Sequence, residues 1–128
     1  MRRVTGLGGA FFKARNPRAL GEWYRDRLGV PVEEGGFAVF RWRDHADPER
    51  PGSTVWAVFP DDTAYFGTGG TPFMLNFRVD DLDRVLAELR GEGVIVDDRV
   101  ETTPQGRFGW ITDPEDNRIE LWEPPEGE

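Results

Sequence analysis

The chain has 128 residues, one His and no Cys, and it carries a formal net charge of -8. Its length suits one compact domain, 1–128, and the lack of Cys excludes disulfides and thiolate metal sites. With Lys13 as the only lysine, no broad basic field is available for nucleic acid. No run reaches membrane-spanning length and no signal-peptide pattern is present, so we expect a cytoplasmic protein without a membrane partner.

The first elements along the chain are a predicted strand and a predicted helix. Val4 to Lys13 is rich in apolar and aromatic residues, which is typical of a strand. Asn16 suits the N-cap of a helix that begins at Pro17, because Asn offers a side-chain acceptor and Pro lacks an N–H that the first turn would leave unpaired. Apolar residues recur at helical spacing up to Gly29, a common stop signal.

Two more strands are predicted at 37–42 and 53–59, separated by a polar, proline-containing loop. Residues 30–33 are a candidate for one additional short strand. The first half is therefore β-α-β-β, or β-α-β-β-β if this short strand forms.

After a glycine-rich link the same order of elements returns. Residues 73–79 are predicted to form a strand, and Asp80 or Asp81 to cap a helix with one apolar face that ends at Gly93. Three further strand candidates follow, at 94–101, 106–112 and 118–124.

The two halves also match residue by residue. Residues 12–29 align with 77–93 at an offset of 65 that falls to 64 after a one-residue deletion, and residues 55–60 align with 119–124 at an offset of 64. A half with one helix and a few strands cannot cover its own sheet, so we expect the halves to join around a shared concave surface. The boundaries are repeat one at about 4–60, a linker at about 61–71 and repeat two at about 72–124.

Three stretches carry a resemblance to a known family: LGEWYRDRLGV, FRVDDLD and GRFGWITDPEDNRIELWEP. Together they resemble the vicinal oxygen chelate superfamily of glyoxalases, bleomycin-resistance proteins and extradiol dioxygenases. The resemblance implies an α+β fold in which two β-α-β-β-β repeats form a cupped mixed sheet with helices on the outside. It also implies a homodimer and, in the enzymes, a divalent metal held in the cup.

The resemblance places the family's metal ligands at Gly9, Trp56, Met74 and Glu120. Metal chemistry of this kind needs three or four converging oxygen or nitrogen donors. Only Glu120 supplies one, because glycine has no side chain, indole N–H only donates, and a thioether is a soft ligand. The lone histidine, His45, lies in a charged loop. We therefore expect no family-type metal site and no cofactor.

Glu120 is nevertheless placed where a ligand could meet it. In a strand, Ile119 and Leu121 face one side, and Glu120 and Trp122 face the other, which we expect to line the cup. A carboxylate in a partly apolar cup loses solvation, which raises its pKa and suits it to proton transfer or to pairing with a cationic ligand. The alternative is that Glu120 only pairs with an arginine, such as Arg118, Arg107 or Arg78.

Four tryptophans fall in strands that are expected to form the cup: Trp42, Trp56, Trp110 and Trp122. Each alone suits core packing, but as a set they could stack on a planar or cationic ligand. Together with Met74 and Glu120 they are the predicted ligand-binding residues.

Three functional hypotheses remain open at this stage. The leading one is a glyoxalase or bleomycin-resistance-like protein that binds a small aromatic or cationic molecule without a metal. The second is a lyase, isomerase or dioxygenase, either metal-dependent as in lactoylglutathione lyase or using Glu120 as acid and base. The third is a dimeric interaction module whose cup is filled by its own side chains.

Overall fold

The computed structural model describes residues 3–128, over which the chain forms two helices and seven strands. In chain order the elements are β1 (Val4–Ala14), α1 (Pro17–Leu28), β2 (Phe37–Arg43), β3 (Pro51–Pro60), β4 (Phe73–Val79), α2 (Leu82–Gly91), β5 (Ile95–Thr103), β6 (Gly106–Thr112) and β7 (Arg118–Glu123). All seven strands form one open mixed sheet in the order β2-β3-β1-β4-β7-β6-β5. The predicted α+β fold is confirmed.

The two halves of the chain meet in the middle of this sheet. β1 pairs with β4 in antiparallel orientation, so that Phe11 lies opposite Met74. Within each half the first strand pairs in parallel with the last, β1 with β3 and β4 with β7. The strand order is therefore nearly the same when read outward from the β1–β4 junction in either direction.

The first half lacks the outermost strand of this pattern. The short strand considered at 30–33 does not form. Instead the Gly36 N–H donates to the Glu33 carbonyl at 2.9 Å, and Gly36 has a φ of +82°. This tight turn leads straight into β2, so the first half is β-α-β-β, whereas the second half is β-α-β-β-β.

Both helices begin at residues that the sequence marks as caps. The Asn16 side chain accepts from the Ala19 N–H at 3.1 Å, and the Asp81 side chain accepts from the Arg84 N–H at 3.2 Å. α1 ends at Gly29 in the left-handed conformation, with a φ of +70°. Neither helix of residues 3–128 combines the length and hydropathy that a membrane span requires.

Side chains of β7 alternate between the two faces of the sheet. Ile119 and Leu121 pack with α2 on what we call the outer face, and Glu120 and Trp122 lie on the opposite, inner face. The second helix is firmly anchored on the outer face through three buried residues, Leu82, Val85 and Leu86. The predicted alternation along β7 is thus confirmed.

The inner face around Glu120 is covered by the chain itself. Residues 61–72, which connect β3 to β4 and are called the cover segment below, bring Phe66 into contact with the core formed by Phe11, Met74 and Trp110. Phe66 is 1% exposed. The inner face is therefore a packed surface with a non-strand segment as its lid.

Candidate functional site

The candidate site is centred on the carboxylate of Glu120, which is 1% exposed. Strand register brings two donors beside it, because Asn76 of β4 and Trp110 of β6 are its direct cross-strand neighbours. Asn76 Nδ2 donates to Glu120 Oε1 at 2.6 Å, and Trp110 Nε1 donates to Glu120 Oε2 at 3.0 Å. The sheet itself therefore builds most of this site.

A third donor comes from the cover segment. The hydroxyl of Tyr65 donates to Glu120 Oε2. The Tyr65 ring stacks on Phe59 with centroids 5.5 Å apart and planes 6° apart, and it meets the Trp110 ring edge-on at 6.2 Å. Tyr65 thus places an aromatic ring and a hydrogen-bond donor against the inner face at the same time.

Burial sets the protonation behaviour of this pair. Desolvation raises the pKa of the Glu120 carboxyl above its ordinary value of 4.5, and the hydrogen bonds from Tyr65, Asn76 and Trp110 partly offset that rise. Desolvation and the neighbouring Glu120 charge also raise the pKa of Tyr65, so its hydroxyl keeps its proton and donates. The site is a desolvated acid held by neutral donors.

One polar atom of the site has no partner among residues 3–128. Asn76 Oδ1 is buried and accepts no hydrogen bond, because the Asn76 amide turns its nitrogen toward Glu120. Gly8 lies against this oxygen, and a Cβ at Gly8 would approach it to 2.1 Å. The missing side chain of Gly8 leaves room for the amide oxygen, which packs there without a hydrogen-bond donor from residues 3–128.

The alternative considered above, in which Glu120 only pairs with an arginine, is not found among the described residues. The hydrogen-bond donors to Glu120 within the described part of the chain are neutral, and Arg118 acts on it only as a more distant charge. The three candidate arginines have other partners: Arg118 pairs with Asp97, Arg107 pairs with Asp83, and Arg78 donates to Ser53 and Glu128.

The predicted ligand-binding residues fall into separate groups. Met74 and Trp110 lie with Glu120 on the inner face, in one core cluster with Phe11 and Phe66. The indole rings of Trp42 and Trp122 lie instead within cation–π distance of the Arg78 guanidinium. His45 is exposed in the loop between β2 and β3.

Trp56 requires a correction, because it lies on the outer face. Its ring packs against Phe12 at 5.4 Å and against Tyr24 of α1 at 4.7 Å. Val55 and Ala57, its neighbours in β3, point to the inner face instead. The repeat alignment was one residue out of register here, and a shift of one residue moves a side chain to the opposite face of a strand.

The residues present do not fit the metal site of the superfamily. Gly9 offers no side chain, Met74 offers a thioether, and both oxygens of Glu120 accept hydrogen bonds from N–H or O–H groups. Within residues 3–128, no three side chains of the His, Asp or Glu type come together as a metal site would require.

Asn76 and Tyr65 were missed in the sequence. Asn76 had a usable signal, since it is the polar residue in the middle of the apolar strand FMLNFRV and shares a face with Met74. Tyr65 had none, because the cover segment has no helix or strand period from which its direction could be inferred.

The described arrangement, two related halves around an open sheet with a carboxylate on its inner face, is that of the vicinal oxygen chelate superfamily. The sequence model of the family described as "Glyoxalase-like domain" matches residues 9–122, and the chain belongs to this family. The resemblance seen in the sequence is confirmed. No curated protein sequence shows a significant match.

Solved structures with the same fold include several methylmalonyl-CoA epimerases. A variant of the Streptomyces coelicolor enzyme, in complex with 2-nitronate-propionyl-CoA, is 23% identical, with a TM-score of 0.71 and 98% of each chain covered. The Mycobacterium tuberculosis epimerase is also 23% identical, with a TM-score of 0.62, covering 98% of this chain and 91% of that one. A structure described as NAD-dependent benzaldehyde dehydrogenase from Legionella pneumophila is 14% identical, with a TM-score of 0.62, covering 91% and 98%. These similarities establish the fold.

Proposed function

We propose that this glyoxalase-like protein binds a small aromatic molecule that carries a hydrogen-bond donor or a positive charge, without a family-type metal site. The observation that carries the proposal is the Tyr65 side chain. It fills the place of such a guest, with its ring against Phe59 and Trp110 and its hydroxyl on Glu120. Tyr65 thus makes, from within the chain, the ring contacts and the hydrogen bond that we propose for the guest.

The cover segment is suited to exchange with a guest. Tyr65 and Phe66 are held mainly by ring packing, and neither belongs to a helix or strand. Gly67 and Gly70, with φ of +82° and +70°, follow directly, and glycines lose more backbone entropy than other residues when a segment is ordered. Release of this segment would uncover a site lined by rings, with Glu120 at its base.

The polar groups of the site favour a donor over an acceptor. Glu120 is a carboxyl group, and Asn76 Oδ1 is a buried acceptor that has no donor within residues 3–128. A guest N–H or O–H could donate to Glu120, whereas an anionic guest would face a carboxylate in a poorly solvated place. The formal net charge of -8 adds a weak attraction for cations.

The test uses p-cresol, which is the tyrosine side chain as a free molecule, and toluene, which lacks the hydroxyl. In Tyr65→Ala, calorimetric titration should show p-cresol binding about tenfold tighter than toluene, since a site built to pair a hydroxyl rejects the analogue without one. Glu120→Gln in the same background should weaken p-cresol binding. Tyramine should bind the unmodified protein saturably, and excess chelator should change none of these results.

Tyr24→Ala is the matched control, because Tyr24 is the other tyrosine of the chain and packs on the outer face near Trp56. It removes the same atoms without touching the inner face. Equal p-cresol binding by Tyr24→Ala and Tyr65→Ala, or no binding of tyramine by the unmodified protein, would contradict the proposal.

A second candidate function is metal-free acid–base catalysis by Glu120. It is favoured by the raised pKa of this carboxyl, and the epimerases among the structural neighbours make an isomerase the reaction class to test. The assay is turnover of methylmalonyl-CoA with and without chelator. Turnover that survives chelator and is abolished by Glu120→Gln would favour the enzyme over the binding protein.

A further inference from the structure

A second polar group is buried on the inner face, two residues after Asn76 along β4. Arg78 is 5% exposed. Its guanidinium carbon lies 5.4 Å from the ring centroid of Trp42 and 5.1 Å from that of Trp122. Both rings are therefore close enough for cation–π contact, which stabilises a partly desolvated guanidinium.

Arg78 is short of negatively charged partners. Its Nη1 donates to the carbonyl and to the hydroxyl of Ser53, both at 3.3 Å, and its Nη2 donates to the backbone oxygen of Glu128. Burial lowers the pKa of this guanidinium, and the Arg50 charge adds to that lowering, whereas the charges of Asp80 and Glu128 partly oppose it. Buried arginines are usually paired, so this environment is incomplete for a purely structural role.

The carboxylates near Arg78 are already engaged. Asp80 pairs with Arg50, and the Glu128 side chain lies 3.9 Å from Arg41. Across residues 3–128, no Asp or Glu side chain forms an ion pair with Arg78. Within residues 3–128, the acceptors that contact the guanidinium are those of Ser53 and the main-chain oxygen of Glu128.

Residues 124–128, called the tail below, cover Arg78. A cavity of about 220 Å³ between the tail and the sheet is lined by Arg78 and Arg50. A second cavity of about 230 Å³ is lined by the tail's last two residues, Trp42 and Arg41. Each cavity exceeds the space of a few water molecules, about 30 Å³ each, so a small anion would fit once the tail moves.

We propose that Arg78 anchors a subsite for the oxyanion of a small molecule, a carboxylate or a phosphate, and that the tail occupies this subsite as an internal plug. The backbone oxygen of Glu128 stands where an oxygen of the anion would accept from Arg78. The guanidinium presents its donors as a planar fork, which suits two oxygens of one anion.

Release of the tail would also make the site more positive. Glu126 and Glu128 belong to the tail and would leave with it, whereas Arg41 remains, as does Arg50 with its partner Asp80. Glu123, which remains, already accepts from the Leu82 N–H at 2.8 Å. This subsite is independent of the aromatic guest proposed at Glu120, and either proposal can fail without the other.

The experiment loosens the tail in the full chain. Gly127 has a φ of +84°, which valine adopts with strain and asparagine tolerates. Calorimetric titration with sodium phosphate and with sodium acetate, at constant ionic strength, should show about tenfold tighter binding of at least one of them by Gly127→Val than by the unmodified protein. Gly127→Asn should stay close to the unmodified protein. The anion that binds identifies the phosphate or carboxylate source.

Arg78 is then tested in the Gly127→Val background. Arg78→Gln should remove the gained binding, and Arg78→Lys, which keeps the charge but loses the fork, should retain only part of it. Arg84→Gln, at an arginine with a 62% exposed side chain on α2, is the control for general charge. Equal binding by Gly127→Val and the unmodified protein, or equal losses with Arg84→Gln and Arg78→Lys, would overturn the proposal.

Discussion

The two halves of the sheet share their strand pairing but differ in the chemistry of the inner face. In the second half, the β4–β7 pair places Asn76 opposite Glu120. In the first half, the corresponding β1–β3 pair places Phe11 opposite Ala57, and both belong to the apolar core. The strand pairing is common to both halves, whereas the carboxyl group and the amide that contacts it lie in the second half. A site that needs ligands from both halves, as the superfamily's metal does, therefore has no counterpart in the first half.

The largest effect is expected from removing the polar group of the second half. Glu120→Ala leaves a cavity and three donors without their acceptor, those of Tyr65, Asn76 and Trp110. The free energy of unfolding should fall by about 3–5 kcal/mol, combining cavity and unpaired-donor costs. Val55→Ala, on the inner face of the first half, should cost only about 1–2 kcal/mol. Urea denaturation of both variants measures the difference.

Glu120→Gln is the control for shape, because it keeps one oxygen acceptor and nearly the same volume. Its loss of stability should lie between those of the two alanine variants. If Glu120→Ala were no more costly than Val55→Ala, the hydrogen bonds at Glu120 would not hold the second half together and the contrast between the halves would be only one of composition.

The helices sharpen the same comparison. In α2, Leu86 is 2% exposed, whereas in α1 the buried set among the described residues is Gly21 alone, and Leu28 is 63% exposed. Leu86→Ala should lower the free energy of unfolding by about 2–5 kcal/mol. Leu28→Ala should change it by about 0.5 kcal/mol or less. A large loss with Leu28→Ala would mean that α1 is covered by a contact that a single chain does not show.

Much of this fold could be predicted from sequence because its signals are local or repeated. The caps Asn16 and Asp81 and the alternation in β7 depend only on neighbouring residues, and the duplicated element order indicated two halves joined in one sheet. Glu120 could be singled out because a charge in an apolar strand is costly unless it has partners.

The rest depended on contacts between distant parts of the chain. The face on which Trp56 lies depends on how β3 is aligned with β7. The correct alignment differs by one residue from the one that the weak sequence repeat suggests. Tyr65 reaches Glu120 from an irregular segment 55 positions earlier. In place of the strand considered at 30–33, the chain makes a turn that leads directly into β2. That turn depends on where β2 pairs, which the local sequence does not reveal.

A smaller effect is expected from pH, which modulates the same carboxyl without removing it. The pKa of Glu120 is raised in the folded protein above its ordinary 4.5. Between pH 4.5 and the raised pKa, the folded protein holds a proton that the unfolded chain has released. Stability conferred by this group is therefore complete below pH 4.5, falls as pH rises through the window, and levels off above it.

This dependence is measured as the difference in free energy of unfolding between the unmodified protein and Glu120→Gln across pH. Carboxyls with lowered pKa, such as Asp97 and Asp113, lose their contribution as pH falls, but they are present in both proteins and cancel. The difference should decline as pH rises. A difference that is flat or that rises with pH would mean instead that Glu120 is ionised and well paired in the folded protein.

The smallest effect concerns the two N-caps, which are alike in geometry but stand in unlike halves. Asp81→Ala should cost about 1 kcal/mol, within the usual range of about 0.5–2 kcal/mol for a lost cap. Asn16→Ala should cost less than half as much, because α1 buries so little that its first turn can fray while the sheet stays folded. Asn16→Ser and Asp81→Ser, which keep a side-chain acceptor, should restore most of either loss.

Amide hydrogen exchange should show α1 opening at lower free energy than α2. Equal losses for the two alanine variants, with equal protection of both helices, would mean that the halves form one cooperative unit, and the asymmetry would then be confined to the inner face.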